Sequence, residues 1–407
     1  MEKLLDDTQS FLGKVEPKWY LLWAMLSQTG MTFVQQGVIV LGFFLATKYA
    51  LNFQQIGFIT SAMSLGVMTS MVFMGILADT WGPKRLLFRA TWVMALLALG
   101  LRWVQGFVLV LVCFFLLGMS LSAVPMSGSK AIFTAFQDRD RGMPMGIRQT
   151  GVPLGAALAA VILPVIVIHF GLSAVYLLFM AELVLFNGIF SAVIPNIKSS
   201  VRETPKHSSS FRPLKWPAIV SFLMVAGQYF LVTFTLEYLH DERHLTLGQS
   251  GWALAMAQIG GGLGRILFGR ISDRLKGNRP RVISFTGILG SGMIAVILLL
   301  PAHVPYWLIV GVWFLTGMGT IGWNALSLTW AAESVASQQA GFAMGLVGTI
   351  IFLGSAIFPP LLGSLIDWTK HFAGAWATLM AILLLASAVA WHAGRQNGTH
   401  SQASNIS

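Results

Sequence analysis

Apolar runs of about 20 residues recur along this whole chain, and they constrain its fold more than any other feature of the sequence. An α-helix rises ~1.5 Å per residue, so each run is long enough to cross the ~30 Å hydrocarbon core of a bilayer. Only 10% of the 407 residues are charged, whereas soluble proteins carry about a quarter. Because a chain in lipid must satisfy its own backbone hydrogen bonds, helices are its natural spanning element. We therefore predict an all-α membrane protein with twelve transmembrane helices.

The net charge of +11 is distributed unevenly between the two sides of this predicted protein. An even number of helices puts both termini on one side, and most of the 26 basic residues fall there. The loops on the other side hold only Lys48, Arg102, Arg243 and Lys370. Since basic loops stay in the cytoplasm, we predict a multi-pass protein of the cell inner (plasma) membrane with both termini cytoplasmic. The basic composition is a topology signal and does not predict nucleic-acid binding.

The two halves of the sequence repeat each other. The longest polar stretch predicts a cytoplasmic linker at 196–216, which separates an N-terminal six-helix bundle (1–195) from a C-terminal one (217–393), followed by a cytoplasmic tail (394–407). Gly118-Met119 recurs as Gly317-Met318, and a set of glycines and a methionine beyond it recurs at the same spacing. An internal repeat of this size is typical of transporters.

Two predicted cytoplasmic loops carry the same pattern of glycine, aspartate and basic residues. The first runs from Gly75 through Asp79 to Arg85, and the second from Gly269 through Asp273 to Arg274. The first loop resembles the signature loop between helices 2 and 3 of the major facilitator superfamily, and the twelve-helix plan extends this resemblance over nearly the whole chain. The resemblance implies two pseudo-symmetric six-helix bundles that rock about a midplane binding site by alternating access.

We predict that these loops hold a gate that forms in one conformation and breaks in the other. The aspartates can accept charge-assisted hydrogen bonds, and Arg265 shares a helix face with Asp273, which suggests a ladder of ion pairs completed by Glu333. The alternative is that the loops only fix topology and helix packing. The predicted gate residues are Asp79, Gly82, Lys84, Arg85, Arg265, Asp273, Arg274 and Glu333.

The predicted fifth helix has its own resemblances. The run from Gly146 to Gly155 is loosely similar to the same helix of the cyanate-permease and anion:cation symporter groups, whose substrates are small anions. It also partly matches a glycine-proline element of antiporters, in which Val152 here separates Gly151 from Pro153. Symport and antiport therefore both remain open.

Charged and polar side chains within the predicted spans are candidates for the solute site, because charge in the bilayer is expensive. Lys130 and Arg148 lie at similar depth in adjacent helices and could form a positive patch, unless each has its own carboxylate or reaches the cytoplasmic surface. Amides on the cavity helices that the resemblance implies could bind the solute or only join helices. The predicted solute residues are Gln28, Gln35, Lys130, Arg148, Gln228, Tyr229 and Asn324.

Two acidic residues within predicted helices could carry a coupling proton. Glu182 lies near the middle of the sixth helix, where a structural partner is the other interpretation. Glu237 lies near the outer end of the seventh, where it could simply be solvated.

These features together predict a secondary active transporter for a small organic or inorganic anion, with proton coupling. The alternative within transport is proton-coupled efflux of lipophilic drugs, which 14 Trp and 28 Phe favour. A non-transporting membrane sensor fits less well. The sequence has no Walker motif and no constellation of nucleophile and base, so we expect neither an enzyme, nor a cofactor or metal site. The expected partners are a small anionic solute and the lipid bilayer, and we expect a monomer.

Overall fold

The computed structural model describes residues 17–135, 142–194, 212–275, 278–301, 303–335 and 339–403. Within these ranges the chain is helical and contains no strand, which confirms the predicted all-α class. Most of the predicted linker (196–216) and the end of the tail (404–407) lie outside the described residues.

Fifteen α-helices cover the described chain. They are α1 (Pro17–Tyr49), α2 (Phe53–Thr80), α3 (Pro83–Gly100), α4 (Phe107–Leu121), α5 (Ala123–Ala135), α6 (Gly142–Gln149), α7 (Gly151–Glu182), α8 (Gly188–Val193), α9 (Lys215–Glu237), α10 (Leu247–Arg274), α11 (Arg279–Leu299), α12 (Tyr306–Ile321), α13 (Asn324–Glu333), α14 (Ala340–Thr369) and α15 (Phe372–Ala403). Short π-helical turns extend α7 over Leu183–Asn187 and α9 over Tyr238–Glu242.

Nine helical segments of the described chain are long and apolar enough to cross a membrane. One of them, Ile147–Val193, has 47 residues and would measure about 70 Å if straight, roughly twice what one crossing needs. Gly171, with φ of 75°, breaks this segment into two helices. The glycine-rich α10 and the 18-residue α3 are not among the nine. The predicted number of twelve spans stays a prediction.

The chain divides into two compact units. Unit 1 comprises Met1–Phe44 and Ala62–Pro205, and unit 2 comprises Leu45–Ser61 and Lys206–Ser407. The end of α1 and the start of α2 therefore pack with the C-terminal helices. The predicted bundle boundaries, 1–195 and 217–393, remain predictions.

The repeated Gly-Met pair has the same packing role in both units. In unit 1 a Cβ at Gly118 of α4 would overlap the Met63 carbonyl of α2, and in unit 2 a Cβ at Gly317 of α12 would overlap the Ala257 carbonyl of α10. Each glycine thus lets two helices approach until their backbones touch. The internal repeat marks a pair of close helix crossings.

The start of α2 is fastened within unit 2. Asp367 at the end of α14 accepts hydrogen bonds from the backbone nitrogens of Phe53 (3.0 Å) and Gln54 (2.8 Å). Asn52 and Gln55 bond each other's backbone nitrogens reciprocally, at 2.9 and 3.0 Å. The free N–H groups of the first turn of α2 are satisfied by these two devices together.

Candidate functional site

Arg148, at the end of α6, is the most deeply buried of the predicted solute residues. It is 1% exposed. Its Nη1 donates to Gln28 Oε1 at 2.5 Å and its Nη2 to Ser129 Oγ at 2.9 Å. The structure thus brings two predicted solute residues, Gln28 and Arg148, into direct contact and adds Ser129, which sequence reasoning did not single out.

Glycines explain how this contact forms. A Cβ at Gly151 would overlap the Met25 carbonyl of α1, and one at Gly155 would overlap the Thr29 carbonyl one turn further on. These two glycines, four residues apart on α7, let its backbone lie directly against that of α1. At Gly128 of α5 a Cβ would lie 3.0 Å from Nη1 of Arg148, so the absence of a side chain there makes room for the guanidinium.

The charge of Arg148 is not balanced by an acid in the part of the chain that the structure describes. No salt bridge involves it there, its two hydrogen-bond partners are neutral, and its Nε has no partner. Charge within a membrane span is expensive, up to roughly 2.5–3.5 kcal/mol for a cation at the centre of the helix on insertion scales. Two neutral acceptors offset only part of that cost, whereas a carboxylate could accept two parallel hydrogen bonds from the guanidinium.

Lys130 does not join Arg148 in the predicted positive patch. Its Nζ forms a salt bridge with Asp79 at 2.6 Å and donates to the Ala78 carbonyl at 2.9 Å. Lys130 thus has its own carboxylate partner, which is the case in which no patch was expected. The structure joins a predicted solute residue to a predicted gate residue, so Lys130 binds the loop that was predicted to gate.

The remaining gate residues of unit 1 have separate roles. Gly82 directly precedes α3, and its φ of 82° lies in the left-handed region that favours glycine. Lys84 is buried, and its Nζ lies 3.4 Å from the Ala192 carbonyl at the end of α8, where the helix dipole favours a cation. Arg85 is exposed.

In unit 2 the predicted gate loop holds a three-residue ion network. Arg279, the first residue of α11, donates to Asp273 at 2.5 Å and to both carboxylate oxygens of Glu333 at 3.0 and 3.2 Å. Sequence reasoning counted Arg279 only among the topology-setting basic residues. The predicted pair of Arg265 with Glu333 is absent from the described salt bridges, because Arg279 occupies Glu333. Arg274 is exposed.

Arg265 lies within α10, away from this network. It is partly exposed, and its Nε is buried without a hydrogen-bond partner among the described residues. It interacts electrostatically with Tyr229 of α9, which is 4% exposed and also hydrogen-bonds Ser355 of α14. Thus Tyr229, a predicted solute residue, meets Arg265, a predicted gate residue.

Three predicted solute amides have less distinctive surroundings. Gln35 is buried in α1, and Asn324 is partly exposed at the start of α13. Gln228, next to Tyr229 on α9, has a buried Oε1 with no partner among the described residues. Their contacts fit both interpretations, a solute-binding amide and an amide that joins helices.

The two predicted coupling acids are buried. Glu182 lies in unit 1 against Gly30 of α1, where any Cβ would collide with its carboxylate. Glu237 on α9 is 3% exposed. The interpretation that it is simply solvated is therefore wrong. Within the described chain, neither carboxylate has a hydrogen-bond partner. The structural partner considered for Glu182 is therefore not found among those residues.

These features define a multi-pass helical membrane protein built from two units, with a buried guanidinium, that of Arg148, in unit 1. The family profile of the Major Facilitator Superfamily matches residues 22–359 and 217–404. The chain belongs to this superfamily of membrane transporters.

Its relatives include transporters of organic acids. The chain is 27% identical over 375 residues to an uncharacterised MFS-type transporter of Mycobacterium tuberculosis, covering 89% of this chain and 82% of the relative. It is 25% identical to the hexuronate transporter of Bacillus subtilis (84% and 86% covered) and 24% identical to the gentisate transporter of Corynebacterium glutamicum (80% and 76%).

Solved structures show the same fold. A bacterial homologue of the human lysosomal transporter Spinster, crystallised in an inward-facing conformation, superposes with a TM-score of 0.73 over 94% of this chain and 98% of its own. At 13% sequence identity this likeness concerns the fold alone.

Proposed function

We propose that this protein is a secondary active transporter of small organic anions, which it carries by alternating access with proton coupling. One observation carries the proposal: the buried Arg148 guanidinium has neutral partners, Gln28 and Ser129, and no carboxylate among the described residues. A transported carboxylate would compensate this charge. The hexuronate and gentisate transporters among its relatives support the same class of solute, since both of these substrates carry a carboxylate.

The test uses the purified full-length protein and its Arg148→Gln variant, with galacturonate and gentisate as probes. Removal of an unpaired buried charge should raise the melting temperature of the ligand-free protein, while affinity for the probes should fall about 10- to 100-fold, as expected for charge-assisted hydrogen bonds. Arg148→Lys should not restore affinity, because an ammonium cannot form two parallel hydrogen bonds with a carboxylate. Arg270→Gln, at an exposed arginine of α10, is the matched control.

A structural salt bridge predicts the opposite sign. Arg148→Gln would then lower the ligand-free melting temperature and leave affinity unchanged. Binding of the lipophilic cation tetraphenylphosphonium, with no binding of either acid, would instead favour lipophilic-drug efflux.

The proposed coupling rests on Glu182 and Glu237, two buried carboxyl groups without hydrogen-bond partners in the described chain. A buried carboxyl group of this kind is most easily accommodated as the neutral acid, which makes it a candidate to carry a proton. The test compares Glu182→Gln and Glu237→Gln in proteoliposomes. The variant that removes the proton carrier should keep solute counterflow but lose solute accumulation driven by a pH gradient. If both variants keep both activities, the coupling assignment is wrong.

The proposed orientation places both termini on the cytoplasmic side of the cell inner membrane, on the basis of the asymmetry in basic residues. After replacement of Cys113, an impermeant thiol reagent should label a cysteine at Asp241 in intact cells. It should not label a cysteine at Ser208, which lies outside the described residues. Labelling at Ser208 from outside would invert the topology.

A further inference from the structure

The π-helical turn Leu183–Asn187, which joins α7 to α8, aligns two buried polar side chains. In an α-helix, residues five apart point about 140° away from each other. In a π-helix the backbone hydrogen bond spans five residues, so residues five apart lie about one turn apart on the same side. Glu182 and Asn187 are such a pair, and 8% and 0% of their surfaces are exposed. The π-turn therefore brings a carboxyl group and an amide to one side of the helix.

Both side chains face the same turn of α1, within unit 1. Ser27 Oγ donates to Asn187 Oδ1 at 2.6 Å. The Glu182 carboxylate lies against Gly30, where a Cβ would overlap its Oε2. Ser27 and Gly30 are three residues apart and are therefore neighbours on the surface of α1. We call these four residues, Ser27, Gly30, Glu182 and Asn187, the Glu182 cluster.

The unsatisfied atoms of the Glu182 cluster complement each other. Within the described chain, the Nδ2 of Asn187 and both carboxylate oxygens of Glu182 are buried without a hydrogen-bond partner. An amide nitrogen is a donor, and the oxygens of an ionised carboxylate are acceptors. Because Ser27 holds the oxygen end of the amide, Nδ2 is the end left for Glu182. A bond between them would satisfy both groups when Glu182 is ionised.

The charged side chains on the helices around the Glu182 cluster are directed elsewhere. On α1 the sequence holds no Asp, Glu, Lys or Arg between Trp19 and Thr47. On α3, which packs against the π-turn, the Nζ of Lys84 lies 3.4 Å from the Ala192 carbonyl. The other titratable side chains on α1, α3 and α7 in this region are exposed or are phenols, namely Arg85, Arg89, His169, Tyr20 and Tyr176. The amide of Asn187 is thus the polar group placed to stabilise an ionised Glu182.

The helix α1 links the Glu182 cluster to the proposed solute site. Gln28, the residue after Ser27, accepts from Arg148 Nη1 at 2.5 Å. Within one turn, α1 therefore contacts both a candidate proton carrier and the arginine proposed to bind the solute. A helix is stiff over one turn, so a displacement of Ser27 also displaces Gln28.

We propose that Asn187 and Ser27 are positioning residues for proton coupling. Asn187 donates to Glu182 when this acid has released its proton to water, and Ser27 orients Asn187 and transmits the change to Gln28. This inference rests on the proposed function, since Glu182 is one of its two candidate proton carriers. It assigns a role to two residues that the sequence pattern did not single out, and to the π-turn that brings Asn187 to the side of Glu182.

The test follows the carboxylic-acid C=O band of Glu182 by infrared titration of the purified full-length protein without solute. The band is identified by its loss in Glu182→Gln. Asn187→Leu, which keeps the approximate volume and removes the donors, should move the midpoint of the band upward by about one pH unit, because the ionised form loses a charge-assisted hydrogen bond. Ser27→Ala should move it in the same direction by less, and Ser27→Thr, which keeps a hydroxyl, should restore it.

Ser191→Ala is the matched control, because Ser191 is also buried in this part of unit 1 and its hydroxyl bonds back to the Gly188 carbonyl of its own helix. Its midpoint should equal that of the wild type. A purely structural role of Asn187 and Ser27 predicts lower melting temperatures with unchanged midpoints, and this result would overturn the proposal. A Glu182 band that does not titrate would overturn it as well.

Added solute tests the link to Gln28. Galacturonate should shift the midpoint of the wild type, and by reciprocity the shift should be lost in Ser27→Ala if this residue transmits the coupling. A shift that persists in Ser27→Ala would overturn the transmitting role. If neither galacturonate nor gentisate binds the wild type, the proposed function fails, whereas the solute-free midpoints of Asn187→Leu and Ser27→Ala still decide whether these residues position Glu182.

Discussion

The carboxylate of Asp367 should protect the first turn of α2 against local opening. Its two oxygens accept from the backbone nitrogens of Phe53 and Gln54, at 3.0 and 2.8 Å. A hydrogen bond to a charged acceptor is worth about 1.5–3 kcal/mol, and because Asp367 is partly exposed we halve the combined value of the two bonds. We take about 1.5–3 kcal/mol for the pair, which corresponds to a factor of roughly 10–150 in a local opening equilibrium.

Hydrogen exchange measures this opening directly. In Asp367→Ala, amide exchange at Phe53 and Gln54 should accelerate about 10- to 150-fold, because both acceptors are lost. Gln55 should change less, since its nitrogen bonds to the Asn52 side chain. Asp367→Asn should have an intermediate effect, because an amide keeps one acceptor and presents a donor to the other nitrogen.

A second carboxylate in unit 2 provides the control, because it caps a different helix. Glu242 accepts from the backbone nitrogen of Phe372 at 3.0 Å, at the first residue of α15. Glu242→Ala should accelerate exchange at Phe372 and leave Phe53 and Gln54 unchanged, and Asp367→Ala should do the reverse. Acceleration below about threefold at Phe53 and Gln54 in Asp367→Ala would refute the reasoning, because these bonds would then contribute almost nothing.

Three further predictions concern packing and ion pairs. Gly155→Ala should lower the free energy of unfolding by about 1–3 kcal/mol, because the new Cβ overlaps the Thr29 carbonyl, and the melting temperature should fall. In the control Gly188→Ala the Cβ meets open space, so this variant should be neutral or stabilising. Gly128→Ala should weaken galacturonate binding by displacing the Arg148 guanidinium, with little change in melting temperature; unchanged affinity would contradict the proposed position of the solute. Asp79→Asn should shift double electron–electron resonance distances across the face that carries these loops more than Asp273→Asn does, because it removes the salt bridge of Lys130 while Arg279 keeps Glu333. Equal or absent shifts in both variants would reduce the loops to topology markers.

The helical class could be predicted from the sequence because long apolar runs in lipid leave the backbone few other solutions. Close helix contacts could also be located from glycines in the sequence. The Gly-Met repeat marks two helix crossings, and the glycines of the fifth predicted helix mark its contact with α1. A glycine acts through the space it leaves, which its position in the helix already defines. The partner of a charged side chain is defined only by the fold.

The ion pairs illustrate this limit. Lys130 and Asp79 are 51 residues apart in sequence, and Arg279 and Glu333 are 54 apart. Depth in a helix predicted that Lys130 and Arg148 were costly, but it could not tell which of them has a carboxylate. Arg279 could have been suspected, since it follows Asp273 by six residues and directly precedes the proline in the first turn of α11. Its role was hidden among neighbouring basic residues that serve topology.

The two predicted gate loops bind corresponding helices by different ion pairs. In unit 1, Asp79 binds Lys130 of α5 directly. In unit 2, Asp273 binds Arg279, which in turn binds Glu333 at the end of α13. The repeat relates α5 to α13, so both aspartates are linked to the same helix of their own half, through a cation on that helix in one case and a bridging arginine in the other. The first pair is neutral, whereas the second network carries one net negative charge. Loss of its aspartate therefore leaves Arg279 paired with Glu333 in unit 2, whereas in unit 1 it removes the salt bridge of Lys130 itself, so the duplicated motif predicts the place of the contact and not its strength.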